Sequence, residues 1–192
     1  MHYFVIVIGN GAIDEMMAPF DENLEVSEYC IGPVSERSKQ SMLGYYAKQG
    51  HVFKTFDSCY KKFGEDWNGN RFRKVDGTWM DFSTYNPEGM WDWYVIGGRW
   101  AGQLSLKEGA KPILGVNFHW GVSEETKRSS LAEHPNNCDS AYLKDIDNLD
   151  SLKPWGILKD GEWFEVDGEE NITEYVKDLP GDTILTCVDM HS

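Results

Sequence analysis

The strongest constraint on the fold of this chain is a pair of continuous apolar segments, one near each end. The first runs from His2 to Ile8 and the second from Thr183 to Asp189. Both are of strand length and rich in β-branched residues, which indicates strands that are buried on both faces. We therefore predict that the two segments lie centrally within one sheet.

Two Asp-Gly pairs mark β-hairpins between these strands. Asp76-Gly77 interrupts the strand-like residues 71–82, and Asp160-Gly161 interrupts residues 155–166. Asp and Gly accept the positive φ angles of a type I′ turn, which is the strongest short-range hairpin signal. In the second hairpin we expect an opposite-charge cross-strand pair, in which Lys159 faces Glu162.

The segments outside these hairpins are less regular. Residues 100–106 and 113–120 have strand character, and we predict that they form a looser strand pair. We predict a surface loop over residues 21–33. After the first strand, the Gly9-Asn10-Gly11 turn lacks the third glycine of a dinucleotide fingerprint, because Asp14 stands in its place.

Helices are predicted from helical spacing and from capping residues. The clearest one begins after Thr55, and its apolar face consists of Phe56, Cys59, Tyr60, Phe63 and Trp67. Others are expected after Ser123, over residues 35–48 with a break at Gly44, and from Asn171 to a stop at Pro180-Gly181. The sequence thus predicts an α+β fold in a single domain over residues 1–192. Its sheet is mainly antiparallel, with the terminal strands buried centrally, β-hairpins and a few short helices.

The composition limits the classes of partner. The chain has 32 acidic and 18 basic residues and a net charge of −14, which disfavours direct binding to a nucleic-acid backbone. The charge is uneven, because residues 101–192 hold 18 acidic and eight basic residues whereas residues 51–100 are neutral. This asymmetry is compatible with docking on a basic protein surface, and equally with a solvated acidic surface that aids solubility.

The four cysteines indicate neither a zinc ribbon nor a disulfide scaffold, because they are far apart in the sequence. The apolar run at residues 3–8 is too short for a signal peptide or a membrane span. We therefore expect a cytoplasmic protein with no membrane association. No cofactor is predicted, and a divalent metal is expected only if the protein is a hydrolase. The oligomeric state is left open.

Residues 91–100 carry the strongest candidate for a binding site. In a strand, Trp91, Trp93 and Val95 would face one side, and Asp92, Tyr94 and Ile96 the other. The Gly97-Gly98 pair would interrupt the ladder and present Arg99 between aromatic residues. Tryptophan can stack on a planar ring while a guanidinium pairs with a phosphate or carboxylate. The candidate ligand-binding residues are therefore Trp91, Trp93, Tyr94, Gly97, Gly98, Arg99 and Trp100. The structural alternative is that the tryptophans form core and that Arg99 pairs with Asp92 or another acid.

A second set of residues would suit catalysis. Asp189 and His191 point to one face of the last strand, because side chains alternate along a strand. Together with Asp145 and Asp147 they would form a divalent-metal site or an acid–base pair. The structural alternative is that Asp189 and His191 are polar residues of an exposed chain end.

The segment Trp-Asp-Trp-Tyr-Val-Ile-Gly-Gly-Arg-Trp at residues 91–100 resembles the signature of a family of uncharacterised proteins encoded by tailed bacteriophages and prophages. Further blocks are similar in order and are spread over most of the chain, at residues 7–9, 18–23, 86–87, 138–147, 158–165 and 183–191. The family often has a Gly-Met-Gly-Trp-Trp-like run after the last hairpin, where this chain has residues 166–170 instead. The resemblance implies a phage or prophage origin and the cytoplasm of a bacterial host, and it implies no particular reaction.

Two functions follow as hypotheses. The first is an accessory protein without catalysis that binds a small anionic, nucleotide-like ligand or a basic host protein surface, for example in counter-defence. The second is a small hydrolase or phosphodiesterase that uses a divalent metal or acid–base pair at Asp145, Asp147, Asp189 and His191. A structural virion component is a third and weaker alternative, because assembly repeats are absent from the sequence.

Overall fold

The computed structural model describes residues 1–166, 168 and 170–192. The strands are β1 (His2–Ile8), β2 (Tyr29–Pro33), β3 (Phe72–Val75), β4 (Thr78–Ser83), β5 (Trp93–Ile96), β6 (Leu104–Ser105), β7 (Asn137–Cys138), β8 (Ser140–Tyr142), β9 (Gly156–Lys159), β10 (Glu162–Glu165) and β11 (Ile184–His191). The helices are α1 (Ile13–Met17), α2 (Glu36–Lys48), α3 (Phe56–Asn68), α4 (Glu124–Glu133) and α5 (Thr173–Val176), and short 3₁₀ turns cover Ala18–Phe20, Leu143–Asp145 and Leu149–Ser151.

The chain divides into two compact units. Unit 1 comprises residues 1–24 and 87–192, and unit 2 comprises residues 25–86. The α+β class is confirmed, with sheets that are mostly antiparallel. The single-domain expectation stays a prediction.

The two terminal strands form the centre of the main sheet in unit 1. Its strand order is β10-β9-β1-β11-β5, and β8 also pairs with β11. β1 and β11 are antiparallel over their whole length, with His2 opposite His191 and Ile8 opposite Leu185. The prediction of centrally buried terminal strands is thus confirmed, and the parallel β1–β9 pair departs from the otherwise antiparallel pattern.

Both faces of this sheet are covered, as the continuous apolar runs require. One face holds Phe4, Ile6 and Ile8 of β1 in a core with Leu185 and Cys187. The opposite face holds Val5 and Val7, which pack in a second core with Val188, Met190 and Met17. Full burial of side chains of this size stabilises the fold by about 1.5–3 kcal/mol each.

Both Asp-Gly hairpins are confirmed. In β3–β4 the turn residues Asp76 and Gly77 have φ angles of 49° and 84°, and in β9–β10 Asp160 and Gly161 have 53° and 77°. Lys159 lies opposite Glu162, as the sequence predicts.

Unit 2 combines the three-stranded sheet β2-β4-β3 with α2 and α3. α3 has the predicted start, because the Thr55 hydroxyl accepts from the backbone N–H of Ser58. Its aromatic face is anchored by Tyr60, whose hydroxyl donates to Asn68 and accepts from the N–H of Phe72, both at 2.8 Å.

α2 and α4 begin where predicted, whereas α5 begins at Thr173, two residues after the predicted start. The Ser123 hydroxyl caps α4 by accepting from Thr126. The predicted break at Gly44 is wrong, because α2 is continuous through it. Gly44 costs a helix only about 1 kcal/mol, and buried Met42 and Tyr46 hold both sides of it in the core. α5 ends at Val176, before Pro180.

The predicted pairing of residues 100–106 with residues 113–120 is wrong. β6 pairs with β7 instead, and Leu114 bridges to Ser140. The cause is the buried carboxylate of Asp139, which accepts the N–H groups of Gly102 and Asn117 and so ties both segments to itself.

The predicted loop at residues 21–33 contains β2, which pairs with β4 at the sheet edge. An edge position tolerates the terminal Pro33 and the bulge at Gly32. In the described part of the chain, no helix is long and apolar enough to cross a membrane.

Candidate functional site

A row of three aromatic side chains crosses the end of the main sheet. His2 of β1 lies opposite His191 of β11, and His191 lies opposite Trp93 of β5. The ring centroid of His2 lies 5.2 Å from that of His191 and 6.0 Å from that of Trp93. These side chains share a face because they are directly opposite in register.

Each histidine of this row is held by a carboxylate. Nδ1 of His2 lies 2.8 Å from Oδ1 of Asp189, and Nδ1 of His191 lies 2.7 Å from Oδ1 of Asp92. A carboxylate only accepts hydrogen bonds, so Nδ1 carries the proton in both histidines and Nε2 is the acceptor in their neutral forms. Nε2 of His191 lies 3.3 Å from the Met1 amino group. Nε2 of His2 has no hydrogen-bond partner among the described residues.

The Gly97-Gly98 turn brings the backbone onto two buried aspartates. Both glycines have positive φ angles, 76° and 62°. A Cβ on Gly97 would lie 2.1 Å from Asp139, and one on Gly98 would lie 2.6 Å from Asp189. Only glycine permits this approach, which lets the N–H of Arg99 donate to Asp189 at 2.9 Å.

The same turn fixes the segment that closes the site. Gly98 donates its N–H to Asn117 and accepts from the N–H of His119. This ladder brings His119 and Trp120 over the sheet end, with their ring centroids 4.9 Å apart. Trp120 is 85% exposed, so its indole is available for stacking.

These side chains line an open cleft with a volume of about 490 Å³. This volume is within the usual range for small-molecule sites. The cleft is lined by His2, Asp92, Trp93, Arg99, His119, Trp120 and His191. Two adjoining hollows extend it along the 117–122 segment. Both are lined by Gly98, and one is also lined by Val95.

Arg99 is exposed, and its guanidinium is unpaired in the described part of the structure. Its backbone N–H contacts Asp189, but its side chain forms no ion pair or hydrogen bond with any described residue. The alternative that Arg99 pairs with Asp92 does not hold, because Asp92 contacts His191. The guanidinium therefore retains its donors for a ligand.

The structure brings together only part of the predicted ligand set. Trp93, Gly98 and Arg99 line the cleft or its adjoining hollows. The others lie elsewhere: Gly97 is buried against Asp139, Trp91 and Tyr94 pack in the second core, and Trp100 packs on Phe4.

The predicted strand alternation fails at Trp91. Trp91 shares the side of Tyr94, and its indole N–H donates to the carbonyl of Met17. The reason is that β5 begins only at Trp93, so strict alternation does not extend to residues 91 and 92. Asp92 therefore lies at the cleft beside Trp93, on the side opposite to the one predicted.

The four residues of the predicted catalytic set do not form one site. His191 lines the cleft, whereas Asp189 is fully buried beneath it and contacts His2. Neither residue belongs to a frayed end, because both lie within β11. Asp145 and Asp147 instead follow β8, where their backbones bond to Lys107 and Ser105. Within residues 1–166, 168 and 170–192, no group of three or more metal-ligating side chains is placed to hold an ion.

His2, His119 and Trp120 line the cleft, but the sequence patterns did not predict them as ligand-binding or catalytic residues. The signal for His2 lay in the pairing of the terminal strands, because antiparallel register puts the start of β1 beside the end of β11. Asp167 and Glu169, which belong to the segment that differs from the phage family, lie outside the described residues.

Comparison of the chain with protein-family models, with curated proteins and with solved structures found no match.

Proposed function

We propose that the cleft binds a small anionic ligand that combines a phosphate group with a planar ring, as a nucleotide does. The observation that carries this proposal is the unpaired guanidinium of Arg99 in a cleft walled by aromatic rings. Guanidinium and phosphate form charge-assisted, often bidentate hydrogen bonds.

The charges around Arg99 support an anion. The two carboxylates near it, Asp92 and Asp189, are already engaged by His191 and His2. A phosphate would therefore meet Arg99 and histidine rings before it meets an unpaired carboxylate. A basic protein surface is the other partner predicted from the sequence, and an unpaired guanidinium does not favour its binding at this cleft.

The aromatic residues support a planar ring. Trp120 presents an exposed indole, and Trp93 and Arg99 line the same cleft. Stacking of a base on an aromatic side chain is worth about 1–3 kcal/mol by alanine substitution. A ligand with a ring and a phosphate would use both features at once.

The cellular setting rests on the resemblance at residues 91–100. We propose that the protein is encoded by a phage or prophage and acts in the cytoplasm of the bacterial host. There, binding of a nucleotide-like signal would be a means of counter-defence.

The test is calorimetric titration with the four nucleoside 3′-monophosphates. The wild type should bind at least one of them, and Arg99→Ala should weaken binding about ten- to a hundredfold, the value of a hydrogen bond to a charged group. Arg128→Ala is the matched control, because Arg128 is exposed on α4 and does not line the cleft. No binding by the wild type, or equal binding by R99A, would refute the proposal.

A further inference from the structure

We infer that the cleft also cleaves phosphodiesters, with His2 and His191 as the proton-transferring pair. The inference rests on the proposed function, because Arg99 in the same cleft would hold the phosphate. The substrate class is a small ribonucleotide phosphodiester, such as a 2′,3′-cyclic nucleotide or a dinucleotide.

The first support is the geometry of His2. Its Nδ1 is held at 2.8 Å by Asp189, which is fully buried and also accepts the N–H of Arg99 at 2.9 Å. This fixes the ring and its tautomer, and it leaves the Nε2 lone pair without a protein partner in the described structure. A carboxylate-oriented histidine with an available Nε2 is the arrangement of a general base.

The second support is that this arrangement is duplicated. His191 has its own carboxylate, Asp92, at 2.7 Å, and its ring centroid is 5.2 Å from that of His2. Two adjacent histidines can act as base and acid in one displacement at phosphorus. Nε2 of His191 faces the Met1 amino group at 3.3 Å, and the leaving oxygen of a substrate would take the place of that amine.

The third support is the position of Arg99 on the same cleft, which lets it neutralise charge on the phosphate oxygens as the reaction proceeds.

The proposed reaction is a hydrolysis. For a 2′,3′-cyclic nucleotide, the oxygen of a water molecule bonds to phosphorus and the bond from phosphorus to O2′ breaks. His2 takes a proton from the water, and protonated His191 gives its proton to O2′. The product is the nucleoside 3′-monophosphate, and no redox partner is needed.

The experiment measures cleavage of 2′,3′-cyclic AMP, of the dinucleotide ApA and of bis(4-nitrophenyl) phosphate, with and without EDTA. The wild type should cleave at least one of them, and EDTA should leave the rate unchanged. His2→Gln should lower kcat by about 10²–10⁴-fold, the usual contribution of acid–base catalysis. His134→Gln is the matched control, since His134 is exposed and outside the cleft.

His191→Gln separates the two roles. The substitution should slow cleavage of 2′,3′-cyclic AMP and ApA by a similar factor. It should slow cleavage of bis(4-nitrophenyl) phosphate much less, because nitrophenolate leaves without a proton.

Asp92→Asn tests the residue that positions His191. It should lower kcat while KM stays within about twofold.

Three outcomes would overturn the inference. They are the absence of cleavage of all three probes, a rate abolished by EDTA, and equal rates for wild type, H2Q and H191Q. Binding of 3′-AMP is measured on the same samples. Binding without cleavage would refute the catalytic inference alone, whereas loss of both would refute the proposed function as well.

Discussion

Arg99 follows the Gly97-Gly98 turn and Asp139 packs against it, and the two residues differ in their surroundings. The Arg99 guanidinium is exposed and has no protein partner in the described structure, while Asp139 is fully buried. Asp139 accepts the N–H groups of Gly102 and Asn117, each at 2.5 Å. Arg99 is thus available for a ligand, whereas Asp139 organises the backbone around it.

Burial raises the pKa of the Asp139 carboxyl, although the two N–H donors oppose this shift. The folded protein therefore holds this proton more tightly than the unfolded chain. Asp139 contributes most to stability below the ordinary pKa of aspartate, and that contribution is lost as pH rises through the raised value.

Asp139→Asn tests this effect, because asparagine cannot titrate. The free energy of unfolding of the wild type minus that of D139N should fall as the pH rises from about 4 toward neutrality. Urea unfolding of both proteins across that pH range measures the difference. A difference that grows with pH would contradict the assignment.

At the residue scale, the sequence predicted that Arg99 is presented between aromatic residues but did not indicate the role of Asp139. The Arg99 side chain is exposed in a cleft with Trp93 and Trp120, and its role in ligand binding stays a prediction. A buried aspartate that binds backbone N–H groups has the same local sequence as an exposed one. The role of His2 also depends on contacts with the other end of the chain, which no local pattern reveals.

At the scale of elements, the Gly97-Gly98 turn is the feature on which the site depends. It is built from the end of β5, and it connects Arg99 to Asp189 of β11 and to the 117–119 segment. Its geometry excludes a side chain at either glycine.

Gly98→Ala should destabilise the protein more than Gly161→Ala. Both glycines have a positive φ, which costs alanine about 1–2 kcal/mol. A Cβ at Gly161 meets open space, whereas one at Gly98 lies 2.6 Å from Asp189 and 2.7 Å from Val95, which adds about 1–3 kcal/mol of overpacking. Equal losses in the free energy of unfolding, measured in urea, would show that the turn tolerates a side chain.

The elements that depend on neighbouring residues were predicted correctly from the sequence. The Asp-Gly hairpins and the capped helices α3 and α4 follow from neighbouring residues. The pairing of residues 100–106 with 113–120 failed because a distant carboxylate holds both segments. The alternation at Trp91 failed because the strand begins two residues later.

At the scale of the whole molecule, the acidity belongs to unit 1. Its residues include 24 acidic and nine basic side chains, whereas unit 2 has eight acidic and nine basic ones. An exposed arginine that has no partner among the described residues is therefore unexpected in this acidic unit. The fold class followed from the terminal strands and hairpins, but the compact unit formed by residues 25–86 was not indicated by any linker.

The most direct measurement is a crystal structure of the protein with adenosine 3′-monophosphate bound. We expect phosphate oxygens about 3 Å from the Arg99 guanidinium and an adenine ring stacked on Trp120. A nucleotide bound elsewhere, or an Arg99 side chain turned away from the phosphate, would contradict it.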